Sequence, residues 1–279
     1  MLLKGKKPTN IQKRFKALFF GNAGVGKTTA AIQFPTPYLI DTERGAENDS
    51  YTHILEKQGG VIYQTSDFDE IINEIKALAT EKHEYKTLII DPLTTVYNNL
   101  LDNAESKVGS DFGRHYNEAN KEIKKLLSWL LRLDMNVIIT SHSKNEYGDK
   151  MNILRQVPDC YKKLDYLFDL VLEIRKRGEK RIGVVAKTRI EGFKEDEIFE
   201  FSYSNVAKKY GKEVLEKDSE NLTLSSVEQV RELTRLINIL KIPSETYEKW
   251  LAKAEIDKFE DMDSDKIQKC IDMLQEKLK

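Results

Sequence analysis

The chain has 279 residues, 33% of them charged and 40% hydrophobic, and its formal net charge is −1. This length suits one sizeable α/β domain with a small appendage, and the composition is that of a soluble globular protein. The balanced charge excludes a protein that binds nucleic acid through a global excess of positive charge, so any such binding must use local patches.

No apolar run approaches the roughly 20 residues that span a bilayer, so we expect no membrane partner. The opening MLLKGKKPTN has too short an apolar stretch for a secretory signal. The two cysteines, Cys160 and Cys270, are far apart and lack metal-ligand spacing. We therefore expect reduced thiols in a cytoplasmic protein.

Short apolar segments alternate with helical patterns over the first two thirds of the chain. The sequence predicts strands at residues 16–20, 37–42, 60–65, 86–91, 135–142, 167–176, 180–189 and 197–203. The first five have the β-branched, apolar composition of strands buried on both faces of a parallel sheet. The last three follow one another without a helix between them, which predicts antiparallel hairpins. The predicted fold class is α/β, with a mostly parallel sheet sandwiched by helices and hairpins at its C-terminal end.

The composition becomes polar and charged after residue 204. This change predicts a core domain at 1–204, a linker at 205–222 and a small three-helix domain at 223–279. Ser225 and Glu228 have the spacing of a capping box that opens the first of these helices. Pro243 and Ser244 are predicted to begin the second helix, and Asp263 or Ser264 the third.

The segment FFGNAGVGKTTAAIQF, residues 19–34, places three glycines, a lysine and two threonines between a predicted strand and a predicted helix. Gly21 to Thr28 satisfy the pattern GxxxxGK[ST] of a phosphate-binding loop. Glycines permit positive φ, and successive backbone amides then point at a phosphate, to which the following helix adds its dipole. We predict that Lys27 contacts the β- and γ-phosphates of ATP or GTP and that the Thr28 hydroxyl binds Mg²⁺. The predicted nucleotide-binding residues are Gly21, Asn22, Ala23, Gly24, Val25, Gly26, Lys27, Thr28 and Thr29.

A second ligand for the metal, a carboxylate, is predicted at the end of the strand TLIID. Asp91 there fits a Walker B carboxylate that holds Mg²⁺ through water. An Asp before Pro also starts turns, but a phosphate loop in the same sheet favours the metal-binding interpretation.

Two further strand ends carry polar residues that are candidates for catalysis. Glu43 follows the second strand, and Thr140, Ser141 and His142 end the fifth. Because carboxyl ends of parallel strands converge on the ligand crevice, Glu43 is placed to approach the γ-phosphate. Position alone also allows Glu43 to be a solvated loop carboxylate paired with Arg44, and a lone His is often structural.

The order of these motifs resembles the ATPase core of RecA-type recombinases over about residues 15–203. The resemblance includes GNAGVGKTT, LIDTERG, LIIDPLTTV, VIITSH and VVAKTRIEGFKEDEIFEF, the last being the most telling. Only the phosphate loop is specific on its own, and the other segments are specific through their order and spacing. It implies that Glu43 is the water-activating base and that His142 is a sensor of the γ-phosphate. It also implies that Lys187 and Arg189 reach across a subunit boundary to the neighbour's γ-phosphate. The alternative for these two cations is an exposed hairpin end.

We expect departures from the recombinases: their sizeable N-terminal domain and their own C-terminal appendage have no counterpart in this sequence, so their usual polymerisation element is expected to be missing or replaced by residues 1–14. A bare core of this size looks most like the short phage-type ATPases of the Sak group, linked to single-strand annealing. The resemblance implies a homo-oligomeric ATPase, ring or filament, that uses ATP and Mg²⁺, binds single-stranded DNA in recombination, annealing or repair, and lies in the host cytoplasm if phage-encoded. The C-terminal helices are similar to small tails of phage recombination proteins, which implies a replication or recombination protein as their partner.

By the same resemblance, residues 101–113 and 143–165 are the loops that hold single-stranded DNA. The first is not basic, and the second has one net positive charge with Tyr147 and Tyr161 for stacking on bases. A denser run, RKRGEKR at 175–181, is a further candidate for phosphate contact, or a solvated face. The basic residues predicted to contact DNA are Lys144, Lys150, Arg155, Lys162 and Lys163.

Two other functions stay open from the residues alone. One is a nucleotide-gated interaction module, such as a helicase loader, whose helical tail docks a replication protein. The other is a small-molecule kinase, but the segments between strands offer neither a clear acceptor pocket nor an Arg-rich lid.

Overall fold

The computed structural model describes residues 13–45, 49–148 and 152–278. By their contacts these residues form two compact units. The first unit draws on Met1–Gln64, Glu84–Thr94 and Met135–Ser219, and the second on Thr65–His83, Thr95–Asp134 and Glu220–Lys279. The division predicted from sequence at residues 204 and 222 stays a prediction.

The first unit contains all the strands found in the described residues. They are β1 (Lys16–Phe20), β2 (Pro37–Asp41), β3 (Val61–Gln64), β4 (Thr87–Asp91), β5 (Asn136–Ser141), β6 (Ser143–Tyr147), β7 (Ile153–Pro158), β8 (Leu170–Arg177), β9 (Lys180–Thr188) and β10 (Ile198–Glu200). Eight of them form one sheet in the order β10-β9-β8-β1-β5-β4-β2-β3. β1 to β5 and β8 are parallel, whereas β9 is antiparallel to both β8 and β10. The predicted mostly parallel sheet with antiparallel strands at its C-terminal end is confirmed.

Helices occupy most connections between these strands and most of the C-terminal segment. They are α1 (Lys27–Ala31), α2 (Asp49–Gln58), α3 (Phe68–Thr80), α4 (Leu93–Val108), α5 (Arg114–Arg132), α6 (Leu164–Leu167), α7 (Tyr203–Tyr210), α8 (Lys212–Leu215), α9 (Val227–Ile239), α10 (Ser244–Ala254) and α11 (Ser264–Glu276). Among the described residues, no helix combines the length and the apolar character needed to cross a membrane.

One hydrophobic core of the first unit lies against one face of the sheet. Strand residues of alternating position, such as Phe19, Ile138 and Leu172, pack there with the alanines of α1. Burying each large side chain contributes about 1.5–3 kcal/mol. α7 and α8 join this core through Val206, Ala207, Tyr210 and Leu215. Part of the polar segment after residue 204 is therefore amphipathic helix that packs on the sheet.

In the second unit, α9, α10 and α11 enclose their own core, which includes Leu233, Leu236 and Ile267. The capping box predicted at Ser225 and Glu228 is wrong by one residue. Ser226 caps α9 and exchanges hydrogen bonds with Gln229, whereas the Ser225 hydroxyl donates to the Phe259 carbonyl. The predicted starts of the other two helices are confirmed.

Both segments expected to be DNA-binding loops contain regular structure. Residues 101–108 continue α4, and 143–158 contain the hairpin of β6 and β7. The hairpin escapes sequence analysis because SKNEY is polar and the two-stranded sheet buries neither face, so no apolar alternation marks it.

Candidate functional site

The phosphate loop begins where β1 ends, at the edge where the other parallel strands also end. Its glycines Gly24 and Gly26 have φ of 73° and 92°, which favour glycine. At Gly21 a Cβ would lie 2.4 Å from the Ile174 carbonyl oxygen of β8. The first glycine is therefore required because neighbouring backbone passes too close for a side chain.

Lys27 is buried at the start of α1 and is held across its own loop. Its ammonium donates to the carbonyls of Gly21, at 2.9 Å, and Asn22, at 3.0 Å. Burial lowers the pKa of Lys27, and the negative charges of Asp91 and Glu43 partly offset this effect. The predicted phosphate-binding cation and both predicted carboxylates thus lie together.

Asp91 ends β4 and is buried against two hydroxyls. Thr140 of β5 donates to one carboxylate oxygen, and the Thr28 hydroxyl also bonds to this carboxylate. Burial raises the pKa of Asp91, and the hydrogen bonds from Thr140 and Thr28 and the charge of Lys27 oppose the rise. A carboxylate beside a hydroxyl is an oxygen donor set that fits Mg²⁺, so Thr28 and Asp91 are suited to hold this ion. Thr140 reaches Asp91 from the polar end of β5.

The substitution Asp91→Asn is expected to stabilise the protein in the absence of nucleotide and metal. Since the pKa of Asp91 is raised on folding, the folded chain retains a proton that the unfolded chain releases. The free energy of unfolding therefore falls as the pH rises above the pKa that Asp91 has in the unfolded chain. The loss of stability is complete once the pH exceeds the pKa of Asp91 in the folded chain. At neutral pH we expect a higher melting temperature for Asp91→Asn, by roughly 2–4 °C per kcal/mol removed. Calorimetry measures it, with the exposed Asp218→Asn as control; a lower melting temperature would contradict the raised pKa.

Glu43 and His142 face each other beside this carboxylate site. Glu43 Oε1 lies 3.4 Å from His142 Nε2, and both side chains are about half exposed. Asp41 fixes the Glu43 turn because its Oδ1 accepts from the amides of Glu43, at 3.2 Å, and Gly45, at 3.3 Å. The structure therefore brings Glu43, His142, Lys27 and Asp91 to one edge of the sheet.

Thr94, which sequence analysis did not select, holds the backbone of His142. Its hydroxyl accepts from the His142 amide at 3.0 Å, donates to the Asp159 carbonyl at 2.9 Å and lies 3.1 Å from the Ser141 hydroxyl. Thr94 is the first of the two threonines that follow Asp91, Pro92 and Leu93 in LIIDPLTTV, and that position is the available signal.

The phosphate loop is also tied to the hairpin of β6 and β7. The Asn22 side-chain oxygen accepts from the Ser143 hydroxyl at 2.8 Å and from the Gln156 amide at 3.0 Å. The hairpin follows His142 directly in the chain. It therefore contacts the candidate nucleotide site at two points, the loop and the end of β5.

Lys187 and Arg189 lie toward the opposite edge of the same sheet. The backbone amide of Arg189 donates to the Asp169 carbonyl, and the backbone amide of Asp169 donates to the Lys16 carbonyl. Arg189 therefore lies beside the first residue of β1, at the end of that strand opposite the phosphate loop. The Lys187 ammonium donates to the carbonyls of Asp165 and Phe168. Burial and then the nearby charge of Arg189 lower the pKa of Lys187. The structure does not bring these two cations to the phosphate loop of their own chain.

The predicted DNA-binding residues have unequal surroundings. Lys144 pairs with Asp159 at 2.9 Å and Arg155 with Glu146 at 2.6 Å, whereas Lys162 and Lys163 are exposed. Lys150 lies outside the described residues. Tyr147 is 53% exposed, but Tyr161 is buried, so the expectation that Tyr161 is available for stacking is wrong.

Solved structures that are similar to this chain include a recombinase and a secretion-system ATPase, and one family model matches the chain. The RadB recombinase is 18% identical over 66% of this chain and 84% of its own, with a TM-score of 0.45. The assembled ATPase EscN of the enteropathogenic E. coli type III secretion system is 12% identical over 94% of this chain and 66% of its own, with a TM-score of 0.42. A search of the curated proteins finds no match. The family model described as an AAA domain matches residues 13–219, and the chain therefore belongs to that AAA domain family.

Proposed function

We propose that this AAA-type ATPase hydrolyses ATP with Mg²⁺ at a site completed by a second copy, and that the assembly binds single-stranded DNA. One observation carries the proposal. The phosphate loop, Asp91, Glu43 and His142 gather at one edge of the sheet, while the two cations matched to trans-acting groups lie toward the other.

The residues of one copy supply binding and water activation. The loop amides and Lys27 hold the phosphates, and Thr28 and Asp91 hold Mg²⁺, which when bound neutralises phosphate charge. Glu43 orients water and accepts its proton. His142 lies 3.4 Å from that carboxylate. Its role in this proposal is to sense the γ-phosphate and to transmit the presence of the γ-phosphate to the hairpin of β6 and β7 that follows.

In this proposal the cations come from a neighbour, because the distance to the phosphate loop of their own chain is too great. Lys187 is six residues along β9 from Arg181, which lies over Gly26 of the loop. At about 3.3 Å per residue this is roughly 20 Å, beyond the reach of a lysine or arginine side chain. Assembly then brings the positive charge of Lys187 and Arg189 to the γ-phosphate of the next copy, as the resemblance to RecA-type recombinases implies.

The hairpin of β6 and β7 is the proposed DNA contact. Tyr147 provides a ring for base stacking, and the exposed Lys162 and Lys163 follow the hairpin with charge for the phosphates. Because two of the predicted cations are already paired, we assign most of the affinity to stacking and to repetition along an assembly. A role in annealing, recombination or repair, as in the Sak group, follows from this proposal.

Single-stranded oligonucleotide is expected to bind in the presence of ATP and Mg²⁺ and to raise the hydrolysis rate. Tyr147→Ala should weaken binding by about 1–3 kcal/mol, and Tyr116→Ala, which alters an exposed tyrosine on α5, serves as control. Anisotropy of a labelled oligonucleotide and phosphate release measure the two effects. Hydrolysis without any DNA binding would reject the DNA partner while preserving the ATPase.

That outcome would favour a nucleotide-gated module that recruits a protein through its C-terminal helices. The supporting observation is that α9, α10 and α11 enclose a core of their own. Deleting them is not a clean test, because Lys76 of α3 and Arg132 of α5 form ion pairs with Asp261 and Asp263.

A further inference from the structure

The hairpin between β8 and β9 lies at the phosphate-loop edge of the sheet. β8 is parallel to β1, so its carboxyl end and the turn at Gly178 lie at the edge where the loop begins. The backbone of Ile174 in β8 passes so near the loop that it excludes a side chain at Gly21. The basic run 175–181, considered above for contact with DNA, therefore lies beside the nucleotide site.

Arg181 extends directly over the loop. A Cβ on Gly26 would lie 2.2 Å from Arg181 Nε, 3.0 Å from its Cδ and 3.1 Å from its Cζ. The alternation of β9 explains this direction, since Arg181 shares a face with Val185, which is buried in the same core as α1. The guanidinium therefore lies against the residue that immediately precedes Lys27.

Arg181 differs from the neighbouring cations in having a buried donor without an acceptor. Arg175 is paired with Glu173 at 2.6 Å, and Lys180 with Glu200 at 2.7 Å. Arg181 Nε is buried and has no hydrogen-bond partner among the described residues. A buried, unsatisfied donor on a cation is costly, and a phosphate oxygen would satisfy both its charge and its hydrogen bond.

The order of strands in the sheet indicates which phosphate of the nucleotide lies nearest Arg181. Asp91 ends β4, and Glu43 and His142 follow the ends of β2 and β5. These three strands lie on one side of β1, whereas β8 and β9 lie on its other side. Lys27 senses the charges of Asp91 and Glu43, which assigns the γ-phosphate to their side. The loop amides enclose the α- and β-phosphates. In the linear triphosphate the α-phosphate is the one farther from the γ-phosphate, so it is the phosphate placed toward the β9 side.

We propose that Arg181 binds the α-phosphate of the nucleotide held by its own chain. The inference rests on the proposed ATP site. It makes Arg181 a nucleotide-binding residue that acts within one copy, unlike Lys187 and Arg189, which serve the neighbour. Because ATP and ADP share the α-phosphate, Arg181 strengthens the binding of both and does not distinguish between them.

Titration of full-length protein with ATP and with ADP in the presence of Mg²⁺ tests this assignment. Arg181→Ala should weaken both nucleotides by a similar factor, roughly ten- to a hundredfold, while turnover at saturating ATP falls far less. Arg181→Lys, which keeps the charge but not the guanidinium fork, should recover part of the affinity. Arg177→Ala, in the same hairpin, should bind both nucleotides like the wild type.

Three results would overturn the inference. The first is an unchanged affinity of Arg181→Ala for both nucleotides. The second is weaker binding of ATP alone by Arg181→Ala, which would assign Arg181 to the γ-phosphate. The third is an equal loss of nucleotide affinity in Arg177→Ala, which would indicate a general charge effect. Wild-type protein that binds neither nucleotide would instead reject the proposed ATP site itself.

Discussion

Lys187→Ala and Arg189→Ala are each expected to abolish ATP turnover while leaving ATP binding unchanged. The positive charge that a finger of this type lends to the transition state is worth on the order of 10³–10⁵ in rate. Ground-state binding is spared because both side chains lie toward the sheet edge away from their own loop, where they donate to the carbonyls of residues 165–168. Steady-state phosphate release and nucleotide titration measure the two quantities separately.

The matched control is Lys194→Ala, which removes an exposed lysine shortly after β9. It should hydrolyse ATP at the wild-type rate. If Lys187→Ala or Arg189→Ala lost ATP binding in dilute protein, where copies are separate, the assignment of these cations to the neighbour's nucleotide would be wrong.

Glu43→Gln is expected to give the second large effect, a loss of about 10²–10⁴ in the rate of hydrolysis. Gln keeps the size of the side chain but cannot accept a proton from water. The amide of residue 43 still donates to Asp41 in this variant, so the turn and ATP binding should persist. Single-turnover hydrolysis with saturating protein isolates this chemical step.

Glu195→Gln, at an exposed carboxylate beyond β9, is the control for Glu43→Gln and should leave the rate unchanged. Full single-turnover activity in Glu43→Gln would show that another group activates the water. The interaction between Glu43 and His142 would then have only a structural role.

Much of the sheet is predictable because its signals are local. The sequence predicts the strand beginning at Lys16 and the strand ending at Asp91 to within one residue, because buried parallel strands are short, apolar and bounded by polar residues. The phosphate loop is equally local, because its glycine spacing is set by the backbone geometry of the loop itself.

The remaining features depend on contacts between distant segments, which periodicity does not reveal. The hairpin of β6 and β7 has polar strands, and its link to Asn22 joins residues more than a hundred positions apart. Arg181 was one of several cations in a basic run, and only the position of Gly26 distinguishes it. Lys187 and Arg189 were matched by resemblance, and only the strand register shows that they cannot reach their own loop.

Mixing two inactive variants tests the shared active site most directly. Glu43→Gln retains intact cations, and Arg189→Ala retains an intact phosphate loop and water-activating carboxylate. If the nucleotide lies between copies, mixed assemblies contain some interfaces in which the Arg189→Ala copy supplies an intact phosphate loop with Glu43 and the Glu43→Gln copy supplies intact cations. The account predicts that the mixture recovers a fraction of wild-type hydrolysis that neither variant shows alone. A mixture as inactive as its components, with both variants shown to assemble together, would contradict it.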